Sequence, residues 1–380
     1  MRHFLAVVSK GIIFFILTVL ALYLLLALTA LFAALFQVRR NAEDQDRRMS
    51  LLREKYSSSY TPSDEQRIAS FSLSDASIRL NEVSFLATHN SYQPRAGWPY
   101  RTLLRALSLI PKVPVDGRLA GFEMDSLTEQ LEHGIRSLEL DVQAAGDGKF
   151  SVTHFLLDNR SSCQDFETAL EELKLWSAHN PRHLPLIVLI EPKEIEFAFG
   201  NRRPFDAECA IALDGVIRSV MGDLLLTPGE TVGEYDSFAA MRADDGWPLL
   251  EDCRGRVLFV LHPCSVTEDY IERDRTVRTQ AMFPCLRYGG IHEEYASFIL
   301  DNNPNSVTEH PEEAALRLMV RTRADDYPDF SGERYADADR CGAQIVTTDF
   351  PPRDSRAEEH TYSFDGYTVR LSGNAPHPEN

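Results

Sequence analysis

From about residue 82 onward the chain alternates short apolar runs with amphipathic stretches. The apolar runs cover 83–87, 135–142, 150–154, 186–191, 256–261, 316–322 and 343–348; the amphipathic ones cover 125–133, 164–179, 206–221 and 310–317. Side chains leave alternate faces of a strand, whereas a helix repeats its apolar positions three and four apart. The first set therefore predicts strands and the second helices, and their alternation predicts a parallel sheet covered by helices. Leu186–Ile190 and Val257–Leu261 are apolar at every position, as expected of strands buried on both faces. Seven runs predict an α/β fold, a closed or nearly closed TIM-type (β/α)8 barrel with its eighth strand unassigned. At the C-terminus, Asp365-Gly366 between alternating residues of 362–371 predicts a hairpin.

The pattern upstream is different. Gly11 to Phe36 carries no charge and is rich in Leu, Phe and Ala. As a helix it would reach ~39 Å at 1.5 Å per residue, beyond the ~30 Å of bilayer hydrocarbon. This predicts one N-terminal transmembrane anchor, 1–38. A cleaved signal peptide competes with that reading, but its apolar core spans about 7 to 15 residues before a small-x-small site. The run here is longer and has no Ala-x-Ala. Residues 39–80 are polar and charge-dense and predict a juxtamembrane stalk, which leaves 81–375 as the barrel.

Charge narrows the partners. Residues 1–40 hold four basic side chains and no acid, so the rest sets 35 basic against 57 acidic residues, a net charge of −22. Such a body is a poor match for nucleic acid and is repelled by anionic lipid, which the anchor offsets. An anionic substrate would need a bound cation or a local group of arginines. The six cysteines lack any Cys-x-x-Cys pair, which argues against a zinc ribbon or a redox motif. Their even number behind a hydrophobic leader favours disulfides, with buried free thiols as the alternative, and an extracytoplasmic catalytic domain on a single-pass membrane protein. The positive-inside rule points the other way. Arg39, Arg40, Arg47, Arg48, Arg53 and Lys55 follow the apolar run, and only Arg2 and Lys10 precede it.

Candidate chemistry collects at strand ends. His89 and Asn90 follow Leu86-Ala87-Thr88, Glu139 and Asp141 leave one face of 135–142, His154 ends 150–154, and Glu191 ends 186–191. One end of a parallel barrel is where such folds keep their sites. Three carboxylates brought together repel one another unless a cation sits between them, and all-oxygen ligation suits a hard ion, calcium above zinc. Asn90, Glu139, Asp141 and Glu191 are the candidate metal ligands. His89 and His154 are the candidate proton-transfer groups, an arrangement suited to in-line displacement at phosphorus. Lys193 and Arg323 are candidates to contact the phosphate or a second anionic group of the substrate. Each motif alone is more often structural: a strand-end His is usually a satisfied packing residue, and Glu-x-Asp a solvated edge. Their order at successive strand ends favours a site. His133, His183, His262, His292 and His310 lack such partners and read as structural or surface residues. Arg321 and Arg323 divide between substrate contact and salt bridges to acids such as Asp325, and Asp349 is equally divided.

The same residues carry a family likeness. Ala87-Thr88-His89-Asn90-Ser91-Tyr92, Leu138-Glu139-Leu140-Asp141, His154, Ile190-Glu191-Pro192-Lys193 and Gln344-Ile345-Val346-Thr347-Thr348-Asp349 resemble motifs of the phosphatidylinositol-specific phospholipases C. The resemblance is to the calcium-dependent microbial branch, over about 80–372. It implies a distorted TIM barrel that cleaves a phosphoinositide lipid to diacylglycerol and a cyclic inositol phosphate. It also implies Ca2+ held by Asn90, Glu139, Asp141 and Glu191, with His89 supporting the phosphate and His154 as the acid towards the leaving group. An anchor departs from the family's typical secreted members. Two other readings compete. A glycerophosphodiester phosphodiesterase would share barrel, metal and histidines, but its usual motif is His-Arg-Gly where this chain has His89-Asn90-Ser91. A catalytically silent, membrane-tethered lipid-binding barrel is disfavoured by the intact pair of histidines.

Overall fold

Eight parallel strands close into a barrel in the computed structural model, which describes residues 2–109, 121–154, 159–193, 201–352 and 361–373. In chain order the strands are β1 (Val83–Thr88), β2 (Ser137–Ala145), β3 (Phe150–Val152), β4 (Leu186–Pro192), β5 (Arg202–Arg203), β6 (Val257–Leu261), β7 (Met282–Leu286), β8 (Phe298–Leu300), β9 (Met319–Arg323), β10 (Ile345–Thr348) and β11 (Val369–Leu371). The barrel runs β1-β2-β4-β6-β7-β8-β9-β10 and closes where β10 pairs with β1. The TIM-type fold is as expected. Its shortest seams are β1–β2, where only Ala87 with Ser137 and Thr88 with Leu138 are paired, and β7–β8, also with two pairs, against six residue pairs between β2 and β4.

Two expectations about strands need correction. The run 150–154 is no barrel stave: β3 folds back antiparallel on β2, with Val152 opposite Val142. Two true staves escaped the pattern, because β7 carries Pro284 at its centre and β8 has three residues, too few to display a period. At the C-terminus Phe364 bridges to Tyr367 around Asp365 and Gly366, both at positive φ (52° and 88°), so the turn forms as expected. Beyond the turn the chain does not extend a hairpin. β11 instead pairs antiparallel with β1, Val83 opposite Leu371.

Strand alternation sorts the residues. Leu138, Leu140 and Val142 of β2 share one core with Leu170 and Leu173, whose helix, Phe166–His179, is capped by Asp165. The intervening Glu139 and Asp141 therefore point the other way, into the barrel, and are 2% and 0% exposed. Ile187, Leu189, Leu258 and Val260 fill a second core.

A single helix, α1, spans Arg2–Ser57. The stretch expected as a polar stalk is seated on the barrel. Asn41, Gln45, Met49, Leu52 and Tyr56, spaced three or four apart, form a buried face of α1. Asn41 donates to the Asn159 carbonyl (2.6 Å) and Gln45 brackets the Asp165 backbone (2.9 and 2.8 Å). Arg48 pairs with the buried Glu172 at 2.8 Å. Part of the polarity that suggested a stalk is met by the barrel, while Arg39, Arg40 and Arg47 pair with Glu43 and Asp44 of the helix itself. Farther along, Glu65, Ala69, Ile78 and Leu80 are buried beside the strand N-termini.

In the apolar part of α1, Phe14, Phe15 and Phe32 are 73%, 68% and 69% exposed. Among the described residues no helix is long and apolar enough to cross a membrane. The side chains at 26, 27, 30, 31 and 34 lie outside them, as do residues 374–375 of the expected barrel. The fold itself thus gives the expected transmembrane helix no support. The expected disulfides are also absent: all six cysteines are free, and all but Cys264 are buried. Burial pushes the thiols of Cys163, Cys253 and Cys285 up to about 12, so these act as small packing groups.

Candidate active site

Residues at the C-terminal ends of β1, β2, β4, β6, β9 and β10 meet in one polar cluster. Asn90 follows β1 at φ 47°, a left-handed conformation that asparagine tolerates better than most residues. There its Oδ1 accepts from Tyr92 (3.3 Å), and the same hydroxyl donates to Asp141 Oδ2 at 2.8 Å. The turn is locked to β2 by reciprocal bonds, Ser91 N–H to the Glu139 carbonyl (3.0 Å) and Glu139 N–H to Ser91 Oγ (2.7 Å). Carboxylate oxygens of Glu139, Asp141 and Glu191 all lie within 4.8 Å of one another. His89 Nε2 is 3.7 Å from Glu139, and His154 Nε2 is 4.0 Å from Asp141. His154 reaches the cluster because the β2–β3 hairpin returns the chain to it: Thr153 N–H donates to the Asp141 carbonyl at 3.1 Å.

The basic residues sit on these acids. Lys193 Nζ lies between Asp141 Oδ2 (2.9 Å) and Glu191 Oε1 (2.7 Å), and Arg321 donates to Glu139 Oε2 at 2.6 Å. Arg323 bonds Asp349 (2.9 Å), which in turn accepts from His89 Nδ1 at 2.9 Å. The Tyr327 N–H also donates to Asp349, at 2.7 Å. All eight residues singled out from the sequence thus converge. Lys193 and Arg323, expected to face substrate, are engaged with carboxylates of the cluster. The even division over Arg321, Arg323 and Asp349 resolves towards salt bridges within the site.

The electrostatics are uneven. Burial opposes ionisation of Glu139, but the Arg321 guanidinium and His89 outweigh it and hold the carboxyl down to about 2. Burial raises Asp141 to about 7, with Lys193 opposing and the Glu191 and Glu139 charges adding to the rise. Asp141 Oδ1 is buried with no hydrogen-bond partner. Burial works against charge on His89, yet Asp349 raises it above the ordinary histidine value. His262, read from the sequence as a structural or surface residue, follows β6 on the same strand face as Leu258 and Val260. Burial lowers its pKa, opposed by the charges of Glu139 and Glu191. Its position one residue past a fully apolar strand was the available signal. Tyr92, linking Asn90 to Asp141, was not singled out from the sequence, and Arg321 was left divided between two roles, because a hydroxyl or guanidinium reveals its partner only in three dimensions.

Residues 148–380, well over half of the chain, match the model of the calcium-dependent phosphoinositide phospholipases C. The chain belongs to this family. It is accordingly a phosphoric diester hydrolase whose cofactor is Ca2+. His154 and Glu191 lie inside the matched segment, whereas His89, Asn90, Glu139 and Asp141 precede it and are brought to it by the fold. Among solved structures, the calcium-dependent phosphoinositol-specific phospholipase C of a Pseudomonas species is 16% identical with a TM-score of 0.54, covering 81% of this chain and 100% of that one. Its myoinositol complex aligns at 17% identity and a TM-score of 0.54, covering 82% and 100%. The calcium-dependent enzyme of Streptomyces antibioticus is 18% identical with a TM-score of 0.50, covering 72% and 95%. These likenesses concern the fold. No curated protein sequence matches the chain significantly. For this phospholipase C the cluster fits its ion: hard oxygen donors, an excess of negative charge and one orphaned carboxylate oxygen suit Ca2+.

Proposed function

We propose that this phospholipase C cleaves phosphatidylinositol-type lipids to diacylglycerol and a cyclic inositol phosphate. The observation supporting it most strongly is the orphaned Asp141 Oδ1 among three carboxylates, with an imidazole on either side. In this reading Asn90, Glu139, Asp141 and Glu191 hold Ca2+. When bound, calcium acidifies the inositol 2-hydroxyl and stabilises charge building on phosphate. Asp349 fixes the His89 ring through Nδ1, leaving Nε2 to support a phosphate oxygen. His154, on the other side of the cluster and partly open to solvent, would give its proton to the diacylglycerol oxygen as that P–O bond breaks and the bond from the inositol 2-oxygen to phosphorus forms, the 2-hydroxyl proton passing to a carboxylate of the cluster. Lys193 and Arg323 supply positive charge towards the phosphate or a neighbouring anionic group.

Residues 1–38 form a single-pass membrane anchor in this reading, and 81–375 the catalytic barrel. Support for the anchor is the uncharged run Gly11–Phe36 and the exposed phenylalanines on it. The barrel lies outside the cytoplasm in this reading, on the ground of the hydrophobic run that precedes it, although no disulfide joins its cysteines. Turnover of phosphatidylinositol and of glycerophosphoinositol, each with calcium and with chelator, tests the assignment. Calcium-dependent release of diacylglycerol is expected. Preference for glycerophosphoinositol would favour the glycerophosphodiester reading, and no turnover of either a silent barrel.

A further inference from the structure

Outside the active site a second cluster carries metal-ligand chemistry. Asp301 directly follows β8, and His310 and Glu313 lie on the connection from β8 to β9. One imidazole nitrogen and one carboxylate oxygen from each acid lie within 4.8 Å of one another. Glu313 is 1% exposed, and both of its carboxylate oxygens are buried with no hydrogen-bond partner. Among the described residues no lysine or arginine forms an ion pair with Asp301 or Glu313; the one charge-capable partner of Asp301 among them is His310, whose Nδ1 lies 3.8 Å away. The contrast with the active site is direct, since there Lys193 and Arg321 neutralise the carboxylates.

A buried carboxylate deprived of both water and donors is strongly unfavourable unless it meets a proton or a cation. The other two members are already held in place. The Tyr288 ring stacks on His310 with centroids 3.8 Å apart, and Ser306 Oγ lies 3.3 Å from His310 Nδ1. Asp301 Oδ1 accepts from the Asn303 N–H at 3.0 Å, which fixes its carboxylate. A site formed before the ion arrives loses little ordering entropy on binding. One imidazole with two carboxylates is also a different donor set from the all-oxygen active site. It suits a borderline transition ion, zinc in the first place, better than calcium.

We propose that Asp301, His310 and Glu313 form a second, structural metal site that takes Zn2+ or a similar divalent transition ion. The site is built from thirteen residues of continuous chain, 301–313, within the connection from β8 to β9. It neighbours the active site through Asn302, whose Oδ1 accepts from Arg321, the residue that holds Glu139. A filled site therefore ties down the segment that anchors Arg321.

The test uses the full chain in detergent, stripped of metal and then saturated with calcium, and titrated with Zn2+ in a calorimeter. One zinc per chain is expected, with affinity falling at least tenfold in Glu313→Gln and in His310→Ala and unchanged in Glu139→Gln. Failure of the unaltered protein to bind zinc, or equal affinity in Glu313→Gln, overturns the proposal. Loss of binding in Glu139→Gln alone would assign the zinc to the active site and overturn it too. Should the variants fail to fold, Co2+ in the unaltered protein decides. Visible d–d bands without a thiolate charge-transfer band are expected; a thiolate band would assign the ion to cysteine and contradict the proposal. None of these readouts depends on phospholipase activity.

Discussion

At the N-terminal end of the barrel, Glu65 and Arg136 are buried as deeply as Glu139 and Arg321 are at the C-terminal end, yet the two pairs have different surroundings. Arg136 meets both carboxylate oxygens of Glu65, one at 3.0 Å, and donates to the carbonyls of Leu131 and Ile135, each at 2.8 Å. Its guanidinium lies 5.0 Å from the Trp176 ring centroid, and the Leu184 N–H adds a bond to Glu65 at 2.8 Å. No polar side-chain atom of Glu65 or Arg136 is buried without a partner. At the other end Asp141 Oδ1, Arg321 Nε and Arg323 Nε are buried without partners, and three carboxylates share two cationic neighbours. Burial of charge is common to both ends, and completeness of pairing separates them. A saturated ion pair holds the barrel shut; an unsaturated cluster retains free coordination, at a cost in stability, for a cation and a substrate.

The comparison predicts opposite phenotypes. His89→Ala and His154→Ala, at the unsaturated end, should each lower turnover of phosphatidylinositol by about 10²- to 10⁴-fold while near-ultraviolet circular dichroism stays native. Normal activity in either would remove the proposed site. Glu65→Ala, at the saturated end, should leave Arg136 buried and uncompensated and lower unfolding stability by about 3–5 kcal/mol, read from denaturant midpoints. Arg136 holds the Glu65 carboxyl below its ordinary range despite burial. Its stabilisation is therefore complete above the unfolded-state value, roughly 4.3, and is lost as pH falls through the lower folded value. Stability curves of wild type and Glu65→Gln should accordingly converge on acidification below that point. A constant gap would show that the pair is not the source.

Smaller effects sharpen the contrast. Asp349→Asn should cost roughly 10- to 100-fold in kcat by releasing the His89 ring. Because the Asp349 charge raises His89, the limb of the pH–rate profile that reports His89 should move to lower pH; a shift upward would contradict the orientation drawn here. Lys193→Met should tighten calcium binding, by up to about tenfold or 1.4 kcal/mol, since the ammonium occupies the oxygens an ion needs. Unchanged or weaker binding would show that Lys193 does not compete for them.

Much of this was legible in the sequence, and the gaps have physical causes. Six of the seven apolar runs are barrel strands, because strands buried on both faces must be apolar throughout. The strand containing Pro284 and the three-residue strand Phe298–Leu300 were invisible, since closure of the barrel, and not their composition, makes them strands. The candidate histidines and carboxylates were readable because each interrupts or closes an apolar run. Their counter-charges were not: Arg321 meets Glu139 across 182 positions of sequence, and Asp349 meets His89 across 260. Likewise the polar face of α1 read as solvent-exposed because Asn41, Gln45 and Arg48 find their partners more than 110 residues away.

Calcium titration calorimetry on the wild type, Glu139→Gln and Glu65→Gln tests the difference between the two ends most directly. The account predicts one calcium site, weakened at least tenfold by Glu139→Gln and untouched by Glu65→Gln. Equal calcium affinity in wild type and Glu139→Gln would contradict it.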